Sequence, residues 1–323
     1  MLFKLGLLLL NLICAYSCSH NEYSDYKLEY NKHYLSEMSD KAHYNTYCDN
    51  VKHIEDVNSR ELSYKLGINQ FTDLTLEEFS GHTGYLNSNR TNNHHNRTSI
   101  LGVLGDVPLS YDWRDYHKVT SVKDQGQCGS CWAFSAIGSL ESVYAIHGNN
   151  HTLYNFSEQE LVDCDGVDSG CGGGLMDNAF NFIMDNGICS YKQYPYNASD
   201  NACREKNCTS LINVSRYLDV LHNSETQLLY ALLSNPVSVA IDASGDFMSY
   251  ESGVYNGTCG TNLDHGVVLV GYGFDKVLGL KYWIVKNSWA TTWGDNGYIY
   301  MLRDVDAEEG MCGIAMAASY PVL

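Results

Sequence analysis

The sequence predicts an α+β protein of two packed lobes preceded by a mainly helical leader. Three textures point there. The run CWAFSAIGSLESVYAIHG sets Trp132, Phe134, Ala136, Ile137, Leu140, Val143, Tyr144 and Ile146 close to a helical repeat and stops at Gly148. After Pro236 the chain turns to short β-branched and aromatic runs, PVSVAIDA, DHGVVLVGYG, KYWIVKNS and GYIYMLRD, punctuated by Gly and Asp. Helices first and antiparallel strands after them, in 323 residues, read as α+β with two packed lobes.

In chain order, MLFKLGLLLLNLICAYSCSH carries Lys4, an apolar stretch from Leu5 to Ile13 and small residues Ala15, Ser17 and Ser19. This is the pattern of a signal peptide, read as residues 1–17; a membrane span needs about 20 apolar residues. From Ser19 to about Gly84 the chain is polar, Tyr-rich and nearly free of Gly and Pro, which suits helices. Tyr47, Asn50, Ile54 and Asn58 share one helical face. GINQFTD follows, from Gly67 to Asp73, and NSNRTNNHHN, from Asn87 to Asn96, has the composition of an exposed linker. The leader is bounded at 18–106 and the body at 107–323. In the body, Ser157 with Glu160 three residues on reads as a capping box leading into Leu161 and Val162.

Composition narrows the function. An apolar fraction of 44% with 4 Pro excludes collagenous and disordered classes. A net charge of −18 leaves no cationic field for nucleic acid or anionic membranes. From Val107 onward 11 basic residues face 25 acidic ones, so body and leader are both acidic and the leader must dock by shape and local contacts. Twelve Cys and eight Asn-x-Ser/Thr sequons, at Asn89, Asn96, Asn150, Asn155, Asn197, Asn207, Asn213 and Asn256, fit a secretory route.

Three islands carry chemistry. In QGQCGSCWAFS, Cys131 lies in the first turn of the buried helix, where unpaired N–H groups and the positive dipole end favour a thiolate. LDHGVVLVGYG puts His265 at the mouth of a strand, and WIVKNSW puts Asn287 at the end of another. A thiol needs a base to take its proton, and the imidazolium needs an orienting partner; Cys, His and Asn supply those roles.

These residues resemble the papain-like cysteine proteases, close to cathepsin L. C-G-[SA]-C-[WY] with His and Asn far downstream is that family's known signature. SEQELVDC, GCGGGLMD, YPY, PVSVAIDA, LDHGVVLVGYG, KNSW, WGDNGYIYM and MCGIAMAASYP follow the family's order across 107–323. The resemblance implies a papain-like two-lobed fold, with a helical left lobe and an antiparallel β-barrel-like right lobe. It implies Cys131 as nucleophile, His265 as base and later acid, Asn287 as its holder and Gln125 as the oxyanion-hole side chain. Trp289 would cover the Asn–His pair and Trp293 would line the leaving-group side. Gly173 and Gly174 would carry an extended peptide. Leu175, Met176, Ala240, Leu263, Gly266 and Ala317, with Asp264 beside them, would form the subsite for the second residue before the scissile bond. With no carboxylate at Ala317, that subsite should take apolar or aromatic side chains.

The leader matches too. Gly67, Asn69, Phe71 and Asp73 fit the inhibitory G-x-N-x-F-x-D pattern. In the accompanying E-R-F-N-I-N helix pattern Asn50, Ile54 and Asn58 agree, while Ser39, His43 and Tyr47 stand where Glu, Arg and Phe belong, which leaves its internal ion pair open. The resemblance pairs Cys128 with Cys171, Cys164 with Cys203 and Cys259 with Cys312. Cys189 and Cys208 remain as an open fourth pair, and Cys14, Cys18 and Cys48 are set aside with the signal and leader. Cys128 and Cys131 also form a C-x-x-C; a redox pair or half a zinc site is the alternative, which lacks a second spaced Cys/His pair. The 32 residues between Cys131 and Cys164 leave no room for the His-His insertion of cathepsin B-like enzymes, which favours an endopeptidase. Ala290 stands after KNSW where Gly is usual.

The expectation is a monomeric cysteine endopeptidase made as a secretory zymogen, lysosomal or extracellular, with no cofactor and no metal. Its partners would be protein and peptide substrates, its own propeptide and cystatin-like inhibitors. Acid would release autocleavage between Asn87 and Gly105, and hydrolysis would pass through a thioester.

Overall fold

A computed structural model describes residues 18–86, 97–98, 107–149, 151–204 and 208–323. The 1–17 segment, most of the 87–106 linker, and Asn89, Asn96, Asn150 and Asn207 lie outside the described residues. The other four sequon asparagines, Asn155, Asn197, Asn213 and Asn256, are exposed.

The leader begins with two long helices. In α1 (His20–Glu29), Ser19 and Glu22 form a capping box. α2 (Glu37–Asn58) buries Tyr47, Val51, Ile54 and Val57. Tyr23 and Tyr26 of α1 pack on Tyr47 and Val51 of α2, an aromatic seam in place of an aliphatic one. A disulfide joins Cys18 to Cys48, so these two cysteines, set aside from the sequence, clamp the start of α1 to α2. On the α2 face, Asn50 donates to the carbonyls of Thr72 (2.8 Å) and Leu74 (3.2 Å), and Asn58 exchanges hydrogen bonds with the Leu66 backbone. The open ion pair is resolved by other residues. Lys32 reaches the buried Asp73 carboxylate at 2.8 Å, Tyr26 and Tyr34 donate to it as well, and His43 bonds the Asp73 carbonyl.

The leader enters the body by strand addition. β1 (Tyr64–Leu66) pairs antiparallel with β6 (Tyr250–Tyr255); α3 (Leu76–Phe79) follows, and β2 (Arg97–Thr98) pairs parallel with β4 (Arg216–Val220). Two acidic bodies thus meet through backbone hydrogen bonds. The remaining elements are β3 (Tyr111–Asp112), α4 (Cys131–His147), α5 (Glu158–Cys164), α6 (Met176–Asn186), α7 (Glu225–Ser234), β5 (Val237–Ile241), β7 (His265–Asp275), β8 (Leu280–Lys286), β9 (Tyr298–Leu302) and β10 (Ala318–Val322). The sheet runs β1-β6-β9-β8-β7-β5-β10-β4-β2, with β3 on β7. The expectation of antiparallel pairing holds except at β6–β9 and β2–β4, which are parallel.

Two clusters make the core. One fills the β-rich lobe around Trp283, Trp289, Trp293 and Phe247; the other packs α4 against α5 and α6. Of the 17 residues of α4, 14 are buried, because the helix is apolar on every side and lies between the lobes. Ser157 caps α5 by accepting from the Glu160 N–H, but the capping box is incomplete: the Glu160 carboxylate turns to the Cys189 N–H at 2.7 Å. Disulfides join Cys128–Cys171, Cys164–Cys203, Cys189–Cys208 and Cys259–Cys312. Cys131 is the free cysteine among the described residues, and Cys128 is locked away from it.

Candidate active site

Cys131 opens α4, its side chain fully buried. His265 begins β7 and Asn287 follows β8, so register in the sheet brings two residues 22 apart in sequence together: His265 Nε2–H donates to Asn287 Oδ1 at 2.8 Å. That bond assigns the tautomer and leaves Nδ1 as the acceptor, buried and without a partner. Gly266, next along β7, packs on the Cys131 backbone, where an added Cβ would stand 3.2 Å from the Cys131 carbonyl oxygen. Trp289 stacks on the His265 ring at 4.4 Å between centroids. Behind Asn287, Lys286 donates to Thr120, and Thr120 and Lys123 bind Glu141 of α4. This buried polar chain ties the helix of Cys131 to the strand of Asn287.

Gln125 is held from both sides. Its Oε1 accepts from Ser288 Oγ at 2.6 Å, and its backbone N–H donates to the Ser288 carbonyl. Its Nε2 donates to the Cys128 carbonyl and, at 3.0 Å, to the carbonyl of His82 in the leader. Ser288 escaped the sequence reading, although it adjoins Asn287 in KNSW.

The leader crosses the site in extended form. The N–H groups of Gly84 and Tyr85 donate to the Asp264 carbonyl, Gly174 N–H donates to the Gly84 carbonyl, and Leu86 N–H donates to the Gly174 carbonyl. Gly84 passes so close that a Cβ there would overlap the Gly129 carbonyl oxygen. Tyr85 is buried in one apolar cluster with Leu175, Met176, Ala240, Leu263 and Ala317. Gly173 lies at the turn before Gly174, at φ 112°. Phe71 and Phe79 pack edge-on to Trp289, Gln70 donates to the Trp289 carbonyl, and Asn69 donates to the Met248 carbonyl. With the leader in place Trp293 is fully buried, stacked on Phe247, packed edge-on to Trp289 and bonded to the Met248 carbonyl, which also accepts from Asn69 of the leader.

Electrostatics also depart from the sequence argument. Burial pushes the Cys131 thiol up to about 12, against the N–H groups of Gly266, Gly84 and Trp132 that favour a thiolate. Burial pulls His265 down to about 4. With the leader in place, desolvation outweighs the helix terminus and favours the neutral thiol and the neutral imidazole. Burial also raises Asp264 to about 6. Ala290 has φ 58°, the left-handed conformation that favours glycine.

Comparison with known proteins agrees with this arrangement. The family model described as Papain family cysteine protease matches residues 107–322, and that described as Cathepsin propeptide inhibitor domain (I29) matches residues 23–79. Ananain of Ananas comosus is 42% identical over 305 residues, 94% of this chain and 87% of ananain. Vignain of Vigna mungo is 46% identical over 288 residues, 86% of this chain and 79% of vignain. The solved structure of recombinant stem bromelain precursor superposes with a TM-score of 0.86 at 42% identity, covering 94% of this chain and 98% of its own.

Proposed function

The chain belongs to the papain family of cysteine proteases, carries its own inhibitory propeptide, and on that premise we propose how this endopeptidase works and is released. The observation that carries the reading is the leader's path, which sets a peptide carbonyl on Gln125, Gly84 against Cys131 and Tyr85 among apolar side chains.

In the matured enzyme, residues 107–323, Cys131 Sγ attacks the substrate carbonyl carbon as its proton passes to His265 Nδ1. The oxyanion receives hydrogen bonds from Gln125 Nε2 and the Cys131 N–H. Collapse expels the amine, which takes the proton from His265 and leaves a thioester. Water, deprotonated by His265, then releases the acid and restores the thiol. Asn287 keeps the imidazole aimed, and Trp289 shields that hydrogen bond from water.

The cluster around Tyr85 favours apolar or aromatic residues at the second position before the scissile bond. Residues 1–17 act as a signal peptide into the secretory pathway, and acid loosens the 18–106 leader so that the linker is cut. Full-length protein held at pH about 4 to 5 should convert to a form cleaving short peptides with Phe or Leu at that position. Cys131→Ala should neither convert nor take up a thiol-directed epoxide. Unaided processing of Cys131→Ala contradicts autocatalysis, and preference for Arg over Phe or Leu contradicts the subsite assignment.

A further inference from the structure

Behind Gly173 and Gly174, along which the leader peptide lies, are two acids that the reaction does not use. Asp165 ends α5 and is buried; one of its oxygens accepts from the Val167 N–H at 3.0 Å, and the other, Oδ2, has no partner. Asp168 Oδ1 accepts from Asn178 Nδ2 at 2.8 Å and from the Leu175 N–H at 3.2 Å, and its Oδ2 likewise has none. The two carboxyl groups are in side-chain contact with each other. A buried carboxylate beside a half-buried one, each with a buried oxygen that has no partner, is unfavourable as a doubly charged pair; one proton shared by the two groups relieves it.

The pair also touches the peptide-binding segment at Gly174. A Cβ on Gly174 would stand 2.6 Å from Asp168 Cγ, so the carboxyl packs directly behind the glycine that exchanges hydrogen bonds with Gly84 and Leu86. Asp168 holds the next N–H, of Leu175, and Ser169 N–H bonds the Gly173 carbonyl.

We propose that Asp165 and Asp168 share one proton beneath Gly173 and Gly174, and that Asp168 is a positioning residue whose loss of that proton weakens peptide binding. This rests on the reading that the Gly173–Gly174 segment carries substrate. With the proton gone to solvent, two like charges face each other and push the Asp168 loop away from that segment. Among the described residues no cation faces the pair: Asp168 meets Asn178 of α6 and Asp165, Trp132 of α4 adjoins it behind Gly174, and neither acid makes an ion pair. The nearby acids are engaged elsewhere: Asp163 of α5 with Tyr194, Asp177 of α6 with Ser319, and Asp200 with the Cys171 N–H. Two carboxyls are also too few for a calcium ion, which takes roughly six to eight oxygens. Burial first, and then the charge of Asp165, pushes Asp168 up to about 7, within the range where the enzyme would meet neutral surroundings.

The test is KM and kcat of the acid-matured enzyme on a Phe-containing peptide from pH 5.5 to 8, in wild type and Asp168→Asn. The amide keeps the bond to Leu175 and donates permanently to Asp165. Wild-type KM should rise by about three- to tenfold across the range while that of Asp168→Asn changes less than about twofold, with parallel kcat profiles. Titration of Asp264 enters both enzymes alike and cancels in the comparison. A flat wild-type KM, or one that rises equally in the variant, overturns the proposal. Infrared spectra of full-length Cys131→Ala provide a check that needs neither turnover nor a folded Asp168→Asn variant. A protonated carboxyl band that disappears near pH 7, persists in Cys131→Ala/Asp264→Asn and is lost in Cys131→Ala/Asp165→Ala supports the shared proton, and its absence overturns it. If the matured protein cleaves no peptide, the protease reading fails, and the infrared band still judges the pair.

Discussion

The Gln125 side-chain amide donates to the carbonyl of His82 at 3.0 Å, so a leader peptide group occupies the donor that we propose holds the oxyanion. Because Ser288 Oγ fixes the other end of that amide, the donor is aimed before any substrate arrives. Gln125→Ala in the matured enzyme should lower kcat by about 100- to 1,000-fold with little change in KM. Steady-state kinetics check this; an equal loss in KM alone would assign Gln125 to ground-state binding.

Gly84 is the tightest point of the leader's path. Any Cβ there meets the Gly129 carbonyl, and backbone cannot move aside as a flexible side chain can. Gly84→Ala should weaken leader inhibition by about tenfold or more, roughly 1.4 kcal/mol. The readout is activity of uncleaved full-length protein at neutral pH; a variant as silent as wild type refutes the contact.

Cys131 should change reactivity on maturation. With the leader bound its thiol is raised to about 12, so almost no thiolate exists at pH 7. Removal of the leader rehydrates the sulfur and lets His265 accept its proton. Iodoacetamide should label the matured enzyme more than about 100-fold faster than the full-length protein at pH 7. Equal rates would show that burial does not control the thiol.

Stability should respond to Asp168. Its folded pKa of about 7 lies above the ordinary 3.8, so the folded protein binds more protons than the unfolded one between these values. The stabilisation is full below the lower value and is lost as pH rises through the upper one. Asp168→Asn removes that loss, so its melting temperature should gain on wild type between pH 5 and 8. A constant difference across the range counts against the titration.

Ala290 occupies a left-handed conformation at φ 58°. Relief of that strain outweighs the extra freedom glycine gives the unfolded chain. Ala290→Gly should therefore raise stability by about 0.5–1 kcal/mol, measured by denaturant unfolding of the matured protein. A loss would mean that the methyl group makes compensating contacts.

Much of the site could be read in one dimension because each island is a local signal. A thiol at a helix start, a His before a β-branched run and an Asn in KNSW each announce an element boundary, and the boundaries hold at Cys131, His265 and Lys286. Less legible were Cys18 and Cys48, whose pairing depends on how α1 lies against α2. The ion pair of the leader was equally hidden, since Lys32 comes from the turn between helices and not from the expected helix face. Short strands such as β6 and β10 show no clear alternation in sequence, because Gly253 and Pro321 interrupt their pattern.

By itself the sequence determined the α+β class, the leader-and-body order and the residue types able to do thiol chemistry, since periodicity and turn residues act over a few neighbours. Tertiary structure alone decided that Trp293 packs edge-on to Trp289, that Ser288 holds the Gln125 amide, and that burial beneath the leader pushes the Cys131 thiol up. The physical reason is desolvation: how far a charge is removed from water depends on segments far apart in the chain, and no local pattern encodes it.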